Sequence, residues 1–173
     1  MKYGIFVAMI AGLLAAPVAS LGEEVRVSDY TFETGDAWEN VTSGRPMRAA
    51  ELKFDAEGDD DPVAVFFYFG PGQGGGLEAN VDRWKGQFDG GPSAEEREDL
   101  EGGGVYLVLT GTYMESMGGP FAGPKTPKPE YKMLAAVLPS EQGAVYIKMT
   151  APAVVADEAR AAFEDLVKKA EKG

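Results

Sequence analysis

Val63-Ala64-Val65-Phe66-Phe67-Tyr68-Phe69, then Gly70-Pro71-Gly72-Gln73-Gly74-Gly75-Gly76, then Leu77-Glu78-Ala79-Asn80-Val81-Asp82-Arg83-Trp84-Lys85-Gly86-Gln87-Phe88 is the stretch that decides the fold. Its first seven residues are β-branched, aromatic or small and carry no charge. A strand of that composition belongs inside a sheet with both faces covered. After the glycine turn, Leu77, Val81, Trp84 and Phe88 recur at helical spacing, with Glu78, Asp82, Arg83 and Lys85 elsewhere. That periodicity predicts an amphipathic helix lying on the sheet.

Upstream, Val25-Arg26-Val27 and Tyr30-Thr31-Phe32 alternate as strands do, and Gly35-Asp36 marks a turn before Trp38. Met47 to Phe54 reads as a strand with Glu51 and Lys53 out and Leu52 and Phe54 in, closed by an acidic turn from Glu57 to Pro62. Downstream, Asp89 to Glu101 is polar, and Ser93-Ala94-Glu95-Glu96 resembles a capping box, which predicts a short helical turn there. Val105 to Thr112 is a strand, and Met114 to Glu130 reads as a long Gly-, Pro- and Met-rich loop. Tyr131–Leu138 and Ala144–Met149 form a hairpin, and residues 152–169 form the second helix, with Val155, Ala159, Ala162, Phe163, Leu166 and Ala170 inward. Hairpin-length connections and two amphipathic helices predict an α+β protein. The expected architecture is a single-domain α/β/α sandwich over 23–173, its mainly antiparallel sheet covered by two main helices.

The first 22 residues read differently. Met1-Lys2 precedes an apolar, uncharged stretch from Tyr3 to Ala16, which is the length of a signal-peptide core and short for a bilayer span. Pro17 and the small residues Ala19, Ser20 and Gly22 follow, with cleavage expected after Ser20 or Gly22, and there is no lipobox cysteine. Residues 1–22 are therefore expected to be a signal peptide, and the mature protein to be periplasmic or secreted, with no membrane insertion after cleavage. Removing Lys2 with this leader takes the net charge from −12 to −13. Such a chain repels nucleic acid. The sequence contains neither His nor Cys, which excludes Ser-His-Asp and Cys-His catalysis and zinc or iron sites built on those ligands. No cofactor or metal is expected, and any catalysis would rest on carboxylates, Lys, Tyr or Ser-Lys pairs.

The segment 67–88, with its Asn80-x-x-Arg83-Trp84-x-x-Gln87-Phe88 core, resembles a family of uncharacterised exported bacterial domains of planctomycete-like genomes. The resemblance continues at Thr110-Gly111-Thr112-Tyr113, at Tyr131-Lys132-Met133-Leu134-Ala135-Ala136-Val137 and at Tyr146-Ile147-Lys148-Met149-Thr150-Ala151-Pro152. The arrangement is also similar in topology to the PsbP/Mog1-like α/β/α sandwich. These resemblances imply a fold and an exported location, and no activity.

Gly70-Pro71-Gly72-Gln73-Gly74-Gly75 matches G-x-G-x-x-G, but antiparallel neighbours and the acidic chain argue against a dinucleotide and for a structural turn or a small-anion contact. Asn80, Arg83, Trp84 and Gln87 share one side of the first helix, where Arg83 can meet an anion while Asn80 and Gln87 orient it. The competing reading is a buried Trp84 with its polar neighbours bonded to loops. Asp55, Glu57 and Asp59–Asp61 offer hard oxygens for calcium but lack the EF-hand order. Met47, Met114 and Met117 lack the His or Cys that would complete a copper site. The loop 111–129, with Tyr113, Met114, Met117 and Phe121, is expected to form one face with the Gly70–Gly76 loop. Candidate ligand-binding residues are Gly72, Gly74, Gly75, Asn80, Arg83, Gln87 and Tyr113. The function expected is a noncatalytic exported binding or accessory module for an unknown protein or small ligand. The alternatives are a carboxylate-based extracytoplasmic enzyme and a structural envelope protein.

Overall fold

A computed structural model describes residues 23–58, 61–116 and 124–173. Residues 1–22, on which the signal-peptide expectation falls, Asp59 and Asp60 of the acidic turn, and Met117 and Phe121 lie outside the described residues. The strands are β1 (Glu24–Val27), β2 (Tyr30–Glu33), β3 (Trp38–Asn40), β4 (Arg48–Phe54) and β5 (Val63–Tyr68), followed by α1 (Leu77–Lys85). Then come β6 (Ala94–Asp99), β7 (Val105–Ser116), β8 (Lys125–Leu138), β9 (Val145–Pro152), α2 (Ala153–Lys168) and β10 (Glu171–Lys172). Seven strands form one antiparallel sheet in the order β3-β4-β5-β9-β8-β7-β6, and β1, β2 and β10 form a small second sheet. The α+β sandwich expected from the sequence is the observed class.

Alternation along the inner strands gives the large sheet two apolar faces. One face presents Leu52, Phe54, Ala64, Phe66, Tyr106, Val108, Leu134, Ala136, Ile147 and Met149. It is covered by α2 through Ala159, Phe163, Leu166 and Val167, and by the small sheet through Val25, Val27, Tyr30 and Phe32. Phe163 meets Trp38 and Tyr106, with ring centroids 6.4 and 6.0 Å away. The opposite face presents Val105, Leu107, Leu109, Met133, Ala135, Val137 and Tyr146 to Val81, Trp84 and Phe88 of α1 and its C-terminal extension. Those buried residues lie on β7, β8 and β9, with Phe67 of β5 packed against their margin, so α1 covers mainly that half of its face. Val63, Val65 and Phe67 of β5, on the other half, are only partly buried.

Three local expectations are corrected. The predicted turn at Ser93 is the edge strand β6, paired with β7 from Ala94↔Thr110 to Asp99↔Val105. Its charges alternate between the two helices. Glu95 pairs with Lys85 at 2.7 Å and Arg97 with Glu78 at 2.8 Å on the α1 side, while Glu96 pairs with Arg160 at 2.7 Å and Glu98 with Lys168 at 2.8 Å on the α2 side. A strand that pairs charges on both faces carries no apolar period, so helix capping was the only local signal visible. Of the predicted loop at 114–130, residues 114–116 and 125–130 are instead the arms of a β7–β8 hairpin, paired out to Ser116↔Lys125. Pro127 and Pro129 are accommodated within it because that arm is largely exposed. In β4, Glu51 is on the predicted face but is not solvated, being only 5% exposed.

Phe163→Ala is expected to lower the unfolding free energy by about 3–5 kcal/mol through the cavity it leaves. Val154→Ala, at a position 81% exposed, should change it by less than about 0.5 kcal/mol. Urea titration monitored by circular dichroism checks both.

Candidate functional site

The glycine turn is built around two side chains. Asn80, 1% exposed, donates from Nδ2 to the carbonyls of Gly74 and Gly76, each at 2.9 Å. Tyr146 of β9 donates its hydroxyl to the Gly75 carbonyl at 2.7 Å. Together they fold the turn down onto β9, in place of a side-chain N-cap on α1, which has none. Gly74 has φ of +87°, and a Cβ there would lie 2.7 Å from Tyr146 Cε2 and 2.8 Å from Phe69 Cδ2. Only glycine fits. Gly72 also has positive φ but open space around it. Because β5 is antiparallel to both neighbours, the turn does not belong to the parallel βαβ unit a dinucleotide site requires.

Polar groups gather at the other end of α1. Arg83 donates to Asn80 Oδ1, and the Gln87 amide donates to the Arg83 carbonyl at 3.4 Å. Lys148 of β9 donates to Gln87 Oε1 at 2.9 Å. Gln87 is itself held in place, since its carbonyl accepts from the Met114 amide at 2.8 Å and the neighbouring Asp89 amide bonds Thr112 at 2.9 Å. Lys148 sits opposite Val65 in the ladder, and one strand further Glu51 sits opposite Val65. Glu51 is bound by Arg48 and by the Ser43 hydroxyl, with the Ser43 amide at 3.2 Å and its own amide bonded to Thr42 at 3.0 Å. The Ser43 hydroxyl, opposed by burial and assisted by Arg48, holds the Glu51 carboxyl below its usual range. Burial first, then the like charges of Arg83 and Arg48, pushes the Lys148 ammonium down to about 8.

The structure thus brings together Asn80, Arg83 and Gln87, with Gly74 and Gly75 bonded at the start of the same helix. Tyr113 lies next to the Gln87 end of this group, its backbone bridging Phe88 while the following Met114 amide bonds the Gln87 carbonyl. It stacks on Tyr131 at 6.3 Å and meets Phe88 edge-on at 5.8 Å, past the C-terminal end of α1. Tyr131 pairs with Pro152, whereas the glycine turn rests on Tyr146, so the two places are roughly 20 Å apart along β9. The glycine turn and the described part of the hairpin therefore lie toward opposite ends of α1. Sequence reasoning missed Lys148, Arg48 and Glu51. The available signal was a lysine between Ile147 and Met149 in an otherwise apolar strand. Two clefts lie elsewhere, both along α2. One, of about 240 Å³, is lined by Trp38, Asp36 and Lys169 among others, and one of about 370 Å³ by Tyr30, Leu100 and Lys168. Neither includes Lys148. Among the described residues no helix is long and apolar enough to cross a membrane, and no three acidic side chains cluster as a metal site would require.

This arrangement, a mostly antiparallel sheet between two helices, is a PsbP-like fold. The solution structure of cyanobacterial PsbP (CyanoP) from Synechocystis sp. PCC 6803 matches with a TM-score of 0.53 at 14% identity, covering 92% of this chain and 97% of that one. No protein-family model and no curated protein matches the chain.

Gly74→Ala is expected to cost on the order of 3 kcal/mol, from strain at positive φ and from overpacking against Tyr146, measured as a fall in the urea midpoint. For Lys148 the direction is fixed by linkage. Between about 8 and 10.5 the folded state holds fewer protons at Lys148 than the unfolded state does, so its burial penalty fades as pH rises through that window. Lys148→Met should therefore be more stable than the native chain near pH 7, and the difference should shrink toward about pH 10. Paired urea titrations at the two pH values read it directly, and a constant difference would contradict it.

Proposed function

We propose that this protein is a noncatalytic exported binding or accessory module whose ligand-facing surface is the half-covered sheet face beside α1. The observation that carries the reading is the pair Arg83 and Lys148. Among the described residues the cations of the sheet edge and of α2 are matched to carboxylates, whereas these two have only amide oxygens as hydrogen-bond partners. Lys148 is partly buried, and such a cation without a counter-ion is costly. Arg83 is exposed beside it, and a chain of net charge −12 has carboxylates to spare. A bound ligand supplying the missing charge accounts for the arrangement. Glu51 supports binding over acid–base chemistry, because its lowered pKa leaves it ionised and already engaged by Arg48 and Ser43.

The exported location and kinship with the planctomycete-like family belong to the same proposal. They are supported by the uncharged apolar stretch that follows Lys2 and by the resemblance of the 67–88 segment to that family. Residues 1–22 are the leader, 23–173 the working domain, and the ligand comes from a protein or small molecule of the periplasm or the medium.

Two measurements test this. Mass spectrometry of the full chain expressed in a bacterium should find an exported form beginning near residue 21 or 23; a cytoplasmic form retaining Met1 would contradict export. Hydrogen exchange in the presence of a native envelope fraction should show new protection in β5 and α1. Protection confined to α2 or the β6 edge would overturn the choice of face.

A further inference from the structure

The half-covered face combines charge with apolar surface in a fixed geometry. Lys148 and Val65 are direct cross-strand neighbours, and Phe67 pairs with Tyr146, the next residue on the Lys148 side of β9. Side chains so placed lie within about 5–8 Å of one another on one face. Phe67 stacks against Phe69 at 6.5 Å, and Phe69 remains 37% exposed. The head of Lys148 is fixed by Gln87 and that of Arg83 by Asn80, and both amides are in turn anchored to backbone. These two cations are preorganised rather than free to collapse onto distant carboxylates. Arg48 adds a third positive charge, already shared with Glu51.

We propose that Lys148 and Arg83 together bind the carboxylate of a small organic acid whose apolar body lies on Val65 and Phe67. Resting on the binding-module reading above, the inference names the ligand's chemical class. An ammonium and a guanidinium held by neutral amides keep their full attraction for an incoming anion, and charge-assisted hydrogen bonds to a carboxylate are the strong ones. A single carboxylate, unlike a polyanion, reaches this patch without drawing a large negative charge along the acidic surface. The partly buried valine and phenylalanine reward an apolar body, and a bare inorganic anion gains nothing from them.

Nuclear magnetic resonance titration of the isotopically labelled chain tests this with phenylacetate, acetate, inorganic phosphate and benzyl alcohol as probes. Phenylacetate should shift the Gln87 side-chain amide, Val65, Phe67 and the Lys148 ε-methylene as one saturating process. It should bind about tenfold tighter than acetate, and benzyl alcohol should leave the Lys148 signal unmoved. Lys148→Met and Arg83→Met, each shown folded by its spectrum, should each weaken binding about tenfold or more, while Lys172→Met, on β10, should not. The groups facing Lys148 are Arg83 and Gln87 from α1 and its extension, and Arg48 and Glu51 from β4. With phenylacetate bound, Lys148 should titrate above its free value. Equal affinity in native and Lys148→Met chains, shifts spread over lysines generally, or phosphate binding as tightly as phenylacetate would each overturn the carboxylate site. Absence of phenylacetate binding alongside envelope-induced protection of β5 and α1 would remove this ligand class and leave the binding-module reading standing.

Discussion

The large sheet has apolar side chains on both faces and, among the described residues, two α-helices to cover them. A strand such as β9 sends Ile147 and Met149 to one side and Tyr146 to the other, so leaving either side wet would expose a large apolar area. On the α2 side a sixteen-residue helix and the small sheet close the face together. On the other, a nine-residue helix closes mainly the part over β7, β8 and β9, with Phe67 of β5 at its margin. The uncovered remainder is where charged residues sit at sheet positions, and this unequal cover places the candidate site.

Holding α1 down takes more than its apolar stripe. Its N-terminal end is bound through the glycine turn by Tyr146 and Asn80. Its C-terminal extension is tied by backbone hydrogen bonds to β7 through Gln87 and Asp89. The same residues that fix the helix thus orient the polar cluster, since Asn80 also accepts from Arg83 and Gln87 from Lys148. These hydrogen bonds give Asn80 and Gln87 a structural role, and the proposed binding role draws on the same bonds. The edge strand β6 adds a lateral fastening, with alternate charges reaching α1 and α2, and its charges also blunt an otherwise open sheet edge.

The inner strands, both helices and the glycine turn were legible in the sequence because each carries a local period or a backbone requirement. Val63–Phe69 reads as an interior strand from composition alone, and Leu77, Val81 and Trp84 mark the buried side of α1 from spacing alone. The class of fold follows from their order. The β6 strand and the outer hairpin arms were illegible for a stated reason: their backbone partners come from β7 and β8, and side chains such as Glu96 and Glu98 find partners 64 and 70 residues away.

What the sequence by itself determined was therefore the set of elements, the demand for cover on both faces, and the exclusion of histidine and cysteine chemistry. What only the tertiary structure decided was which polar residues meet. Lys148 and Gln87 are 61 residues apart and become partners because α1 crosses β9 at that register. Glu51 is buried because residues 42–43 fold back over it. Periodicity reports which way a side chain points. It carries no information about what another element, brought in by the packing of a distant segment, will place opposite it.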